Sequence, residues 1–320
     1  MSAIKTTANG TQKRSGKMYA IKMDFRKNWP VYLMFLPVIL FYILFHYKPM
    51  VGVVMAFKDY KPAFGIWGSP WTKNFGFKHF IDFFSGIYFG RVISNTIIIS
   101  VYQLVFGFPA PILLALMLNE LKNQRFKKVM QTVTYFPHFI STVVVCGMLT
   151  QFCLSDGLFN WFTGLFGAEP VSMLQQPGLF RPIYVLSGIW QSMGWDSIVY
   201  LAAIAGIDTE LYEAASLDGA NRLRRIWHIT LPGIKGTIVI LLIMKMGQVM
   251  SVGSEKILLL YNDATYSTAD VISTYVYRKG LIEMNYSFST AVNLFNSIIN
   301  FALVCSANWI SEKLTDTALF

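Results

Sequence analysis

The sequence predicts an all-α polytopic membrane protein with six transmembrane helices, and three observations carry that prediction. First, 54% of the 320 residues are hydrophobic and only 14% are charged, whereas soluble domains carry about 25% charged residues. Second, the apolar excess is gathered into blocks long enough to cross a bilayer, which takes about 20 residues. Third, the net charge of +10 collects near the ends of these blocks, as in membrane proteins. It makes no basic patch with interleaved aromatics, so nucleic acid is not an expected partner; membrane lipid is.

Residues 1–28 form a basic arm, with Lys5, Lys13, Arg14, Lys17, Lys22, Arg26 and Lys27 against Asp24. Gly10 to Lys17 superficially resembles a phosphate-binding loop. Five residues separate Gly10 from Gly16 and Met18 stands where a magnesium-binding hydroxyl is needed, so no nucleotide site is expected there. The first span covers residues 29–47, with Trp29, Tyr42 and Tyr47 at its ends where aromatic belts form. The apolar stretch is too long for a signal peptide and no small-residue cleavage site follows it. Residues 48–90 form a Pro-, Gly- and Trp-containing external loop. Val51 to Phe57 is expected to dip to the membrane surface, and Phe77 to Tyr88 to form an amphipathic surface helix.

Residues 91–310 form a core of five spans. Span two (92–118) contains Pro109 and Pro111, which should kink it and free carbonyls for the bundle interior to satisfy. Span three (129–154) contains Pro137, span four covers 182–206, span five 236–260 and span six 288–310; residues 311–320 are a tail. Placing the N-terminus inside puts 16 Lys and Arg in the cytoplasmic segments and 9 in the longer external ones. That bias places both termini, and the loop at 207–235, in the cytoplasm. Cys146, Cys153 and Cys305 lie in or beside spans with no metal spacing and read as small apolar residues.

The polar loop between spans four and five carries its own helix signals. Asp208 suits an N-cap, Glu210 the positive end of a helix dipole, and Gly219 the left-handed position past a helix end. Leu211, Ala214 and Ala215 share one narrow, smooth face that a partner could approach closely, with Glu213 as a fixed charge beside it. A second helix is expected from Asn221 to about His228, with Pro232 ending the loop.

Glu213-Ala214-Ala215, Asp218-Gly219-Ala220 and, after the nine residues 220–228, Ile229-Thr230-Leu231-Pro232 resemble the EAA loop of permease subunits of binding-protein-dependent ABC importers. The resemblance implies a type I permease fold and a coupling helix that docks in a cleft of a cytoplasmic ATPase. It implies four partners: a second homologous permease, two ATPase subunits and an extracellular solute-binding protein. It also implies a bacterial inner (plasma) membrane location, and ATP used by the ATPases with no cofactor bound by this chain. Trp190 to Pro232, with Gly194-Trp195 and Tyr200-Leu201-Ala202-Ala203, looks most like carbohydrate importers. Ala56-Phe57-Lys58-Asp59-Tyr60 and Thr274-Tyr275-Val276-Tyr277-Arg278 are similar to the sub-branch for complex oligosaccharides. A permease for an amino acid or phosphate shares the same coupling loop.

Polar side chains within spans usually face a bundle interior or cavity. Asn95, Gln103, Gln191, Asp196, Lys245, Gln248, Glu255 and Asn296, with aromatic platforms at Trp190 and Trp195, are candidates for a hydrophilic solute path; Asn95, Gln103, Trp190, Trp195, Gln248 and Asn296 are its named members. Interhelical hydrogen bonding is the competing role for each. Lone His138 reads as structural. No nucleophile elbow, carboxylate pair or metal spacing suggests an enzyme. An ion-coupled secondary transporter would need an inverted repeat with a mid-membrane ion site, and no such repeat is visible.

Overall fold

The computed structural model describes residues 23–315; most of the basic arm, the Gly10–Lys17 segment and the end of the tail lie outside the described residues. What is described is almost wholly helical, with one isolated antiparallel bridge between Lys58 and Trp71. Three helices are long and apolar enough to cross a membrane: α1 (Trp29–Phe57), α3 (Phe89–Asn119) and α13 (Tyr286–Lys313). Two bent pairs raise this to five if each counts as one span: α4 (Gln124–Phe139) with α5 (Thr142–Phe152) at 97°, and α9 (Arg222–Gly233) with α10 (Lys235–Met246) at 61°. Helix α7 (Pro177–Ala205) is 29 residues long but less apolar. The short elements are α2 (Lys78–Phe84), α6 (Leu158–Gly164), α8 (Thr209–Leu217), α11 (Ser254–Leu260) and α12 (Ile272–Tyr277).

Four of the prolines, Pro49, Pro109, Pro137 and Pro232, are absorbed in two ways. Widened π turns at Ile43–Tyr47, Gln103–Gly107 and Ile226–Thr230 each begin six residues before a proline: Pro49, Pro109 and Pro232. A widened turn takes up the missing N–H and the ring without ending the helix. Thus α1 continues past residue 47 through Val51–Phe57, which packs on α13, and α3 stays one helix through Pro109 and Pro111. Pro137 behaves differently. It sits in a tight turn, Phe136–Phe139, and the chain then bends sharply.

Helix α7 is the hub. Three apolar clusters stack along the molecule. One joins Phe83, Val92, Ile272, Tyr275, Phe288 and Val292 at the end where α3 and α13 begin. The next surrounds α7 at Phe180, Tyr184 and Val185, and includes Cys146 and Cys153. The last lies at the opposite end, where Ala115, Leu116, Tyr200, Ile204 and Ile234 pack under the 207–235 loop.

The tightest crossing on the hub is at Gly194. A Cβ there would stand 1.9 Å from the carbonyl oxygen of Thr134 in α4, so the two backbones meet without a side chain between them, the small-residue contact that membrane helices favour. Around it, Gln191 Nε2 donates to the Ile140 carbonyl at 3.0 Å, satisfying backbone freed by the bend after Phe139. His138 stacks on Trp195 with centroids 4.6 Å apart. Gly194→Ala should therefore destabilise the protein by about 1–3 kcal/mol, the usual cost of overpacking, seen as a lower melting temperature in detergent. Gly147→Ala, which has open space around the new methyl, should leave it unchanged or raised.

Candidate functional site

The loop that leaves the hub is built from cap signals in its own sequence. The Asp208 side chain accepts from the backbone N–H of Glu210 at 3.0 Å and starts α8. At the other end Ala220 N–H donates to Ala215 C=O (2.9 Å) and Gly219 N–H to Ser216 C=O (3.1 Å). With Gly219 at φ +75°, this is a Schellman closure. Asn221 then caps α9, accepting from Arg224 N–H at 2.9 Å. Helix α9 runs past His228 to Gly233 and is bent from α10 around Ile234.

The two helices are latched together. Tyr212 Oη and Thr230 Oγ1 are hydrogen-bonded at 3.0 Å, and Arg225 Nη1 donates to Ser216 Oγ at 2.9 Å. Thr230 is buried. At the base, Gly233 lies so close to Ile207 that a Cβ would stand 2.6 Å from its Cδ1. Leu231 joins the apolar cluster of Tyr200 and Ile204. Arg222 Nε lies 3.9 Å from Glu120 Oε2 at the end of α3.

This framework brings Ala215, Asp218, Ala220 and Ile229 together in one shallow groove of about 310 Å³ between α8 and α9. Glu213 and Ala214 stand exposed on the surface of α8, and Pro232 is exposed at the loop's return. Neither an ion pair nor a side-chain hydrogen bond holds Glu213 among the described residues. Leu211 and Leu217 are also exposed.

The polar residues of the spans divide. Gln103 and Gln248 line one cavity of about 340 Å³ between α3, α7 and the end of α10, together with Ser192, Asp196 and Lys245. Asp196 and Lys245 thus face the same space with opposite charges. Asn95 lies elsewhere. It is buried, donates to the carbonyls of Ser267 and Asp270, and accepts from Arg181 at 2.7 Å. Trp190 lines a separate apolar cavity with Met148, Phe152 and Leu186. Trp195 is engaged with His138, and Asn296 Oδ1 is buried without a hydrogen-bond partner among the described residues. Glu255 is exposed beside the start of α11.

Sequence reasoning missed the fastening around Asp270. This carboxylate is fully buried and is reached by Arg278 Nη2 at 2.8 Å, Thr274 Oγ1 at 2.9 Å and Arg91 Nη2 at 3.4 Å. A buried carboxylate needs such partners. The Arg91 contact spans 179 positions, and no local pattern encodes it. The Tyr212–Thr230 latch was also missed, although both residues lie in the loop that the motif marks.

Residues 107–315 match the family of binding-protein-dependent transport system inner membrane components. The chain is 43% identical to protein LplB of Bacillus subtilis over 304 residues, 95% of this chain and 93% of that protein. It is 43% identical to the polygalacturonan/rhamnogalacturonan transport system permease YteP of the same organism, covering 97% and 95%. A chain of a bacterial alginate ABC transporter, crystallised with an alginate pentasaccharide-bound periplasmic protein, superposes with a TM-score of 0.85 at 45% identity, covering 93% of this chain and 99% of that one. The class is therefore a multi-pass importer permease of the type I fold, and the chain belongs to the family of binding-protein-dependent transport system inner membrane components.

The caps give the loop a measurable stability. Asp208→Ala should cost the α8 helix about 1 kcal/mol, and Gly219→Ala about 1–2 kcal/mol through its left-handed backbone. Amide hydrogen exchange across 209–217 should quicken in both variants while exchange in α7 stays the same.

Proposed function

We propose that this subunit carries an oligosaccharide across a bacterial plasma membrane and takes its driving motion through α8 from a separate ATPase. The supporting observation is the loop itself. A short capped helix is latched to α9, rooted on the hub, and presents an unpaired carboxylate beside two alanines. Glu213 would pair with a basic residue of the ATPase, Ala214 and Ala215 would allow close docking, and Gly219 sets the turn that holds α8 against α9. Only two residues, Gly206 and Ile207, separate the end of α7 from the cap Asp208, so displacement of α8 is delivered to the helix that walls the central cavity. ATP closure in the partner would rock the spans from inward-open to outward-open.

The assembly in this reading holds a second homologous permease, two cytoplasmic ATPases and an external solute-binding protein, with ATP bound by the ATPases alone. Both chain termini and the 207–235 loop face the cytoplasm, in line with the charge bias. An oligosaccharide is favoured over an amino acid or phosphate by the named substrates of the polygalacturonan/rhamnogalacturonan permease and the alginate transporter. The amides and hydroxyl of Gln103, Gln248 and Ser192 in the central cavity suit a hydroxyl-rich solute.

Glu213→Arg reverses an unpaired charge on α8 and adds a long side chain at the docking face. In the assembled importer it should abolish transport and the stimulation of ATP hydrolysis by loaded binding protein, with the amount of assembled permease unchanged. Intact coupled transport in that variant would refute the proposed role of α8.

A further inference from the structure

The segment between α1 and α3 is folded rather than loose, and it lies at a fixed depth. Lys58 is buried, and its Nζ donates to the carbonyls of Ile66 (3.0 Å) and Trp67 (3.1 Å). The same ammonium lies 5.9 Å from the Trp67 ring centroid and 5.3 Å from that of Trp71. Asp59 N–H donates to Pro70 C=O and Thr72 N–H to Phe57 C=O, closing the small bridge beside Trp71. His79 Nε2 lies 3.3 Å from both Asp59 Oδ1 and the Lys58 carbonyl. Two spans set the depth independently. Helix α1 ends at Phe57, immediately before this fold. Tyr60 N–H donates to Ser287 Oγ at 2.8 Å, and Ser287 is the second residue of α13. From Trp29 to Phe57, 29 helical residues rise roughly 43 Å, which matches a bilayer of about 40–45 Å including its headgroups. With Trp29 at the near headgroup boundary, that length brings the fold to headgroup level on the far side.

At that depth the fold turns aromatic rings outward. Trp67 and Trp71 are 75% and 68% exposed, Phe64 and Phe77 are also exposed, and Phe75 is wholly exposed. Asn74 and Phe75 both have positive φ, 57° and 54°, so the Phe75 ring is held out at the tip of a left-handed turn. Exposed Lys61 and Lys73 flank these rings. Buried Lys58 gives the two indoles a common anchor, which a loop merely passing through water does not require. Rings of Trp and Phe with lysines at headgroup level match the chemistry of the membrane interface.

We infer that residues 58–77 form a membrane-interface anchor, in which Trp67, Trp71 and Phe75 enter the headgroup–acyl boundary and Lys61 and Lys73 meet the phosphates of anionic phospholipids. The inference rests on the spans crossing a bilayer but not on the coupling role of α8.

The test uses the full chain reconstituted in vesicles of phosphatidylcholine, with and without phosphatidylglycerol, carrying phospholipid brominated near the glycerol end of its chains. The signal is the tryptophan emission lost in the double variant Trp67→Phe/Trp71→Phe, which keeps an aromatic ring at both places. That emission should be quenched by the brominated lipid and shielded from aqueous iodide, and the quenching should be stronger with phosphatidylglycerol. Lys61→Glu/Lys73→Glu should remove the added effect of phosphatidylglycerol; its persistence would overturn the anionic preference. Emission quenched by iodide and untouched by brominated lipid would overturn the anchor and leave the ring cluster as a docking face for a soluble protein. Because the readout needs a bilayer and no ATPase, failure of the Glu213→Arg experiment leaves it unaffected.

Discussion

At the crossing of α7 and α4 two helix backbones touch, and the rest of the core is arranged about that contact. The bare Cα of Gly194 admits the Thr134 carbonyl. A side chain there would push α4 away and pull apart the bend that follows Pro137. That bend exposes carbonyls in a setting where water is scarce, so its polar neighbours are already engaged: Gln191 on Ile140 and His138 on Trp195. With α4 pressed to one side of the hub, the other side stays open as the cavity of Gln103, Asp196, Lys245 and Gln248. The same helix thus has a sealed face and a face that lines a polar cavity.

The hub also explains how a surface helix could act at a distance. Helix α8 hangs from α7 by two residues, and Tyr212, Ser216 and Ile207 tie it to α9 and its return. Leu231 and Ile234 carry the other end of the loop into the cluster beneath Tyr200 and Ile204. A push on α8 has no slack segment in which to dissipate. At the opposite end, Asp270 and its two arginines fix the segment after α11 to α3, and Asn95 with Arg181 extends that tie to α7. The buried charges there act as fasteners, leaving the central cavity as the place where polar groups face open space.

Much of this was legible in the sequence, for reasons that can be located. The apolar blocks and the EAA pattern pointed to the class, because membrane thickness sets the length of the first and the second is a local run with fixed spacing. Asp208, Gly219 and Asn221 sit where their caps need them, since capping is decided within four residues. The spans were less exact. Pro109 and Pro137 read alike in sequence, yet one is absorbed in a π turn and the other sits in the tight turn that ends a helix. Among the polar residues, Gln103 and Asn95 lie two turns apart on α3. One faces the cavity and the other is claimed by Arg181 and the carbonyls of Ser267 and Asp270. No sequence pattern distinguishes them, because the deciding partners are 86 to 175 positions away.

The central claim is that α8 is gripped by an ATPase, and a cross-link tests it most directly. A cysteine replacing Ala214 is paired with one in the docking cleft of the co-expressed ATPase, and disulfide formation is followed with and without nucleotide. The account predicts a disulfide whose yield changes with nucleotide. An assembled complex that forms no cross-link in any nucleotide state would contradict it and return α8 to the membrane surface as a simple connector.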